Sequence, residues 1–374
     1  MYQIPFNLST VIVLAIISQG LFVVILLLFK KANQKANRYL SVLIFIFILW
    51  LLDTFFRVAN LYGQNANLYF LPIYYSFAFG PLIFFYTKAL THPDFQFKRT
   101  HLWHFLPALF QAGLYIFLSF KGYEYRRWFW LEVHKPFTYD FEFNITLVSL
   151  IIYLVLSLRL LKKYQVWIKE HFSEISKINL QWLRVINILF LLLCATWLVD
   201  AILREWFTIY PSNPFSSLSI GLCVLALGAG ALLQERITQS GKESLISAKS
   251  TVSQIDSVLD TTLLEKIQQV MLSQEYFLNQ ELTLKDFSEF LNESPRIISE
   301  HINKGLGKTF IDFVNEYRVA KVKEQIQQGA LAQYTLYGIA MESGFNSKAT
   351  FNRVFKSTTG MSPSEYQKEY QNKD

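Results

Sequence analysis

The segment Ser9–Phe29, STVIVLAIISQGLFVVILLLF, runs 21 residues without one charged side chain. A helix of that length spans about 30 Å, the thickness of a bilayer's hydrocarbon core. Six further apolar stretches follow, so that seven lie near residues 8–29, 38–58, 68–89, 101–120, 144–163, 182–203 and 216–234. Lipid offers no partner for backbone N–H and C=O groups, so a spanning segment must satisfy them internally. None of the seven alternates with a period of two, which argues against barrel strands and predicts a seven-helix transmembrane bundle. No basic region precedes the first stretch and no small-residue cleavage site follows it. It therefore reads as a retained span and not a signal peptide.

Charge is unevenly shared along the chain. Charged residues make up 17% of the whole, below the ~25% of soluble domains. Up to Glu235 there are 19 Lys and Arg against 11 Asp and Glu, whereas residues 280–374 hold 12 of each. The basic excess belongs to the apolar half, so the whole-chain pI is no evidence for nucleic acid, and any such case must rest on local patches. The two cysteines, Cys194 and Cys223, lie inside apolar stretches and read as small core residues without a disulfide or metal site.

The loops between stretches set an orientation. One side collects 13 Lys and Arg, including Lys30, Lys31, Lys35, Arg38, Lys162 and Lys163, and the other collects 6. The richer side is expected to be cytoplasmic. The chain then sits in the cytoplasmic (inner) membrane as a multi-pass protein, N-terminus outside, with everything after Glu235 in the cytoplasm.

Polar residues within the stretches admit two readings. Asp53 and Arg57, and again Asp200 and Arg204, are four apart, within ion-pair reach on one helix face. They are either interfacial pairs that help the bundle pack or a pocket near the outer surface that receives a signal. The outer segment Tyr123–Phe143, rich in aromatics such as Trp128 and Trp130, reads as a loop forming an interfacial belt or a binding surface. Gly221, Ala226, Gly228 and Gly230 in the last stretch permit close helix packing, within the bundle or between two copies. Pro81 and Pro107 are candidate kinks.

The organisation expected is a membrane module over 1–235, a cytoplasmic linker with an amphipathic helix over 236–274, and a helical domain over 275–374. In the linker, Val252, Ile255, Val258 and Leu259 form a short stripe. Thr262 and Glu265 form a capping-box pattern ahead of a helix with Leu263, Ile267, Val270 and Met271 on one face. That helix is either a signalling coiled coil or one packed on the next domain.

The C-terminal domain is densely punctuated. Thr283 opens one helix, and Ser294 with Pro295 opens a second after a turn at Asn292-Glu293. This is the pattern of a helix-turn-helix unit. It recurs: a long helix from Phe310 ends at Gly329, Thr335 opens a short helix, Gly344 turns, and Ser347 caps a helix running to Gly360. Lys348, Asn352, Arg353 and Lys356 share a side of that last helix away from Phe351 and Phe355. Arg and Asn suit guanine and adenine edges and Lys suits phosphate.

The pieces LTLKDFSEFLNESPRIISEHIN, FIDFVNEYRVAKVKEQI and IAMESGFNSKATFNRVFKSTTGMSPSEY resemble the DNA-binding domain of the AraC/XylS family of transcription regulators. The resemblance covers about the last quarter of the chain. It implies seven helices holding two helix-turn-helix units joined by the long helix, each presenting a recognition helix to the major groove of double-stranded DNA. It assigns base reading to Arg296, Ile297, Glu300, His301 and Asn303 in the first unit. In the second it assigns base reading to Lys348, Ala349, Asn352 and Arg353, with Lys356 on phosphate. Glu300 departs from the basic residue many members carry, so the second unit is expected to supply most of the affinity. A multi-span module ahead of such a domain resembles a subgroup of the family.

Other classes fit less well. GLGKT, Gly305–Thr309, lacks the first glycine and the preceding strand of a P-loop. No lysine lies between Ser216 and Gln234 to hold retinal. A transporter or membrane enzyme with a helical regulatory appendage is the alternative, resting on Gln19 and Gln111 as mid-span polar groups. The chain is read as no enzyme, with no catalytic residue, metal or cofactor. Its expected partners are DNA, the bilayer, RNA polymerase, a second copy of the chain and an unidentified small-molecule or envelope signal.

Overall fold

The computed structural model describes residues 8–92, 94–173, 175, 178–207, 215–234 and 260–371. Those residues are helical throughout apart from turns, loops and one isolated antiparallel bridge. They form two units. The first comprises residues 1–163 and 180–236, the second 164–179 and 237–374.

The principal helices up to residue 234 are α1 Leu8–Phe29, α2 Gln34–Val58, α3 Phe79–Thr91, α4 Leu106–Ser119, α5 Tyr139–His171, α6 Gln181–Phe207 and α7 Phe215–Leu233, all in the first unit except the end of α5 from Tyr164 onward. Among the described residues five helical stretches are long and apolar enough to cross a membrane, and Gly221–Leu233 is a shorter apolar helix. The third expected stretch does not become one helix. Residues 69–75 are irregular, Phe70 has φ +58°, and α3 keeps 13 residues, about 20 Å. Pro72 explains the break, since the residue before a proline is driven out of helical geometry. Pro81 and Pro107 both sit in the first turn of α3 and α4, where a missing N–H costs nothing. They start helices and kink none. The aromatic segment expected as a loop is also helical: Tyr123–Phe129 is α and Trp130–Thr138 is π, with Pro136 inside.

The glycines of α7 are filled from within the same unit. A Cβ on Gly221 would lie 2.8 Å from Ile16, on Gly228 2.5 Å from Val23, and on Gly230 2.3 Å from the Trp182 ring. Positions 16 and 23 of α1 ascend with 221 and 228 of α7, so the two helices run parallel. Lys30 closes the pair, its Nζ donating to the carbonyls of Ala231, Leu232 and Gln234 at 2.9, 2.6 and 2.8 Å. A cation there satisfies orphan carbonyls and the negative end of the helix dipole.

The second unit holds seven α-helices among its described residues from 260 onward: α8 Thr261–Ser273, α9 Leu284–Leu291, α10 Pro295–Leu306, α11 Phe310–Gln327, α12 Leu336–Glu342, α13 Lys348–Thr359 and α14 Pro363–Gln371. Helix α8 starts two residues earlier than expected, because Asp260 and not Thr262 is its N-cap and accepts from the N–H groups of Thr262 and Leu263. Its apolar face packs into this unit: Ile267 and Met271 are fully buried against Phe287 and Ile302. The Val252–Leu259 stripe lies outside the described residues.

Two cores organise the unit, and α11 belongs to both. Phe310, Phe313 and Val314 join Phe287, Leu291, Ile298 and Ile302 in one. Val319, Val322 and Ile326 join Ile339, Phe345, Phe351 and Phe355 in the other. One rigid helix therefore sets the separation of the two helix-turn-helix units.

Candidate nucleic-acid interface

The second helix of each helix-turn-helix unit is oriented by a cap on one side and a core on the other. In the first unit Thr283 caps α9 through a capping box with Asp286, and Asn292 takes a left-handed conformation at the turn. Ser294 then caps α10 on the N–H of Ile297, with Pro295 in its first turn. In the second unit Thr335 caps α12 on Gly338 N–H and Ser347 caps α13 on Thr350 N–H. Gly360 stops α13 at φ +81°, a conformation L side chains rarely adopt.

The turn between α12 and α13 depends on Gly344. Its φ is +92°, and a Cβ there would lie 2.2 Å from the carbonyl oxygen of Phe277 and 3.0 Å from Nε of Arg318. Phe345 then enters the core, fully buried, against Phe351 at 5.3 Å between ring centroids. With Phe351, Val354 and Phe355 held inside, Lys348, Ala349, Asn352, Arg353 and Lys356 are exposed together on the opposite side of α13. All five residues expected on this helix share one face, with a basic excess and no carboxylate among them.

The first unit presents a mixed set. Arg296 is exposed, and Ile297 and Glu300 are half-buried on α10. Glu300 is paired with Lys304 one turn on. Asn303 is half-buried and donates its amide to the backbone oxygen of Ser299 at 2.9 Å. His301 does not join them. It is 3% exposed: Nδ1 lies 2.8 Å from the Ile297 carbonyl, and Nε2 accepts the N–H of Asp260 at 3.1 Å. A carbonyl can only accept, so Nδ1 carries the proton. The imidazole is a spacer between α10 and the start of α8. Its position in sequence, three residues before Lys304 on a polar-looking face, hid this, because Asp260 is 41 residues away.

The polar residues considered for a signal pocket lie in the first unit. Asp53, 8% exposed, accepts from Nε of Arg57 at 2.9 Å and from the hydroxyls of Tyr62 and Tyr74. Tyr62 comes from the short helix Leu61–Gln64 that follows α2, and Tyr74 from the irregular segment that replaces the start of the third long helix. Gln111 is buried and bonds Glu142 and Ser76. The side chains of Asp200 and Arg204 lie outside the described residues.

Sequence reading missed Arg318. It occupies the core stripe of α11 formed by Ile311, Val314 and Val322, a position where an arginine is out of place, and it has no exposed surface. Its Nε donates to Phe277 O at 2.8 Å and Nη2 to Asn279 O at 2.7 Å. Its guanidinium carbon lies 6.0 Å from the Phe345 ring centre. The charge thus sits at the seam between the two cores and is met by backbone carbonyls, as a buried cation must be.

Comparison with known proteins bears on this part of the chain. Residues 287–369 match the family model described as a helix-turn-helix domain. Over 102 residues, 27% of this chain, the sequence is 30% identical to uncharacterized HTH-type transcriptional regulators of Staphylococcus aureus strains COL, MSSA476 and MRSA252. The chain spans only 13% of the length of those relatives. No solved structure matches it. The C-terminal part of this chain is a helix-turn-helix domain similar to that of HTH-type transcriptional regulators.

Proposed function

We propose that this protein is a membrane-anchored transcription regulator that binds specific DNA sequences. The apolar module of residues 1–235 holds it in the cytoplasmic membrane by seven spans and receives a signal. The linker leads to an AraC/XylS-type domain in the cytoplasm, to which α8 adds its apolar face. The supporting observation is the shared exposed face of Lys348, Ala349, Asn352, Arg353 and Lys356 on a capped, core-anchored helix. A helix of that kind fits the major groove, with Arg353 and Asn352 reaching base edges and Lys356 a phosphate.

In the first unit the reading set reduces to Arg296, Ile297, Glu300 and Asn303. The Glu300–Lys304 pair neutralises a carboxylate that would otherwise repel phosphate, and leaves the second unit to supply most of the affinity. The parallel course of α1 and α7 supports an odd number of crossings between them, as five intervening spans give, which agrees with the Lys and Arg distribution in placing Gln234 on the cytoplasmic side.

Genome-wide occupancy of the full chain tests the reading. The wild type should enrich a common sequence motif, and Arg353→Glu should abolish that enrichment. Occupancy indistinguishable from an untagged strain would overturn it.

A further inference from the structure

Residues 164–179 comprise the end of α5 and the stretch leading towards α6, and they belong to the second unit. Helix α5 runs without a break to His171, and the two residues after it dock. Phe172 forms an antiparallel bridge with Thr283, the N-cap of α9. Ser173 has no exposed surface. Its N–H and its Oγ both donate to the carbonyl of Leu282, at 3.1 and 2.6 Å. Arg318 completes the contact: Nη1 donates to Ser173 O at 3.3 Å and Nη2 to Ser173 Oγ at 3.2 Å.

From this geometry we infer that the segment around Phe172 and Ser173 is an internal docking element that holds the helix-turn-helix domain in its DNA-binding arrangement. Arg318 sits where the two cores meet, and its guanidinium reaches the 277–279 segment, the Phe345 ring and Ser173 at once. Withdrawal of Ser173 takes two acceptors from a buried cation and a partner from Leu282. That cost falls on the seam fixing one recognition helix relative to the other. Arg296 on α10 and the Lys348–Lys356 face of α13 stay exposed with the segment docked, so docking supports binding and does not block it. Because Ser173 follows α5 by two residues, a displacement along that helix reaches the seam directly. The segment is thus the element through which a signal received by the apolar helices changes DNA affinity.

This inference rests on the proposed DNA-binding role, and the test separates the two. Full-length chain in native membranes carries Phe172→Cys with Thr283→Cys, in a background with Cys194→Ala and Cys223→Ala. Mild oxidation should give an intramolecular disulfide, seen as a thiol-reversible gel shift. In parallel, genome-wide occupancy is measured for Ser173→Ala, Ser173→Pro and Arg353→Glu. Ser173→Pro should lower occupancy by about tenfold or more, the loss implied by one unmet hydrogen bond to a charged group, and Ser173→Ala by less. Protein level and protease resistance of the domain, followed in the same samples, guard against simple loss of fold. Absence of the disulfide overturns the docking. Disulfide formation with unchanged occupancy in both Ser173 variants, while Arg353→Glu loses it, overturns the coupling and leaves the DNA-binding reading standing. If Arg353→Glu retains occupancy, the DNA-binding reading fails and the coupling with it, whereas the disulfide still reports on the contact.

Discussion

Gly344 and Phe277 approach so closely that a Cβ on the glycine would stand 2.2 Å from the Phe277 carbonyl oxygen. That oxygen already accepts from Nε of Arg318, so it cannot swing aside without freeing a buried cation. Gly344→Ala meets both this collision and a φ of +92°. It should destabilise the domain by about 3 kcal/mol or more. Thermal unfolding of the purified chain, read by protease resistance of the C-terminal domain, would show it. A shift no larger than that of Gly307→Ala, where open space surrounds the Cβ position, would contradict the role given to the contact.

His301→Ala should act on stability and not on base choice. The substitution leaves the Asp260 N–H without its acceptor and opens a gap between α8 and α10. The expected cost is about 2 kcal/mol. Binding-site selection with randomised duplexes should return the wild-type motif. An altered motif would return His301 to the reading surface.

Arg353 and Lys356 should fail in different ways. Arg353→Ala is expected to cost about 1–3 kcal/mol on the best site and to relax one position of the motif. Lys356→Ala should weaken all sites alike and reduce the salt slope by about one. Glu300→Ala, which breaks an ion pair that never faced phosphate as a bare charge, should cost less than either. Salt-dependent titrations on matched and mismatched duplexes distinguish these patterns.

The first unit has its own sensitive positions. Gly230→Leu drives a side chain into the Trp182 ring, whose Nε1 is tied to Gln234 at 2.9 Å. Overpacking of this kind costs about 1–3 kcal/mol. Lys30→Met removes the cation that three carbonyls share. Both variants should lower the thermal stability of detergent-solubilised chain, whereas Gly113→Leu, with nothing within 4 Å of its Cβ position, should not.

Acid should loosen the start of α8. The N–H groups of Leu263 and Thr262 hold the Asp260 carboxyl below its ordinary value of 3.8. The folded state therefore binds fewer protons here than the unfolded chain. The stabilisation is present above the ordinary value and is lost as pH falls through the depressed one. Asp260→Asn keeps a capping oxygen but cannot titrate. Its melting temperature should fall less steeply below about pH 4 than that of the wild type. Parallel curves for the two would exclude the cap as a source of acid sensitivity.

The sequence determined the class of fold and the grammar of the C-terminal helices by itself. Caps at Thr283, Ser294, Thr335 and Ser347, and the left-handed stop at Gly360, are written in residues within one turn of the groups they satisfy. The apolar runs are equally local, because burial follows from their own composition. The tertiary structure decided what depends on residues far apart. It buried His301 by offering it Asp260, and it broke the third apolar run so that Tyr74 joins Tyr62 at Asp53. It filled the glycines of α7 from α1 and α6, and it placed Ser173 on Arg318 across 145 residues. Hydrogen-bond partners of buried polar groups are chosen by proximity in space, and no local spacing along a chain encodes that proximity.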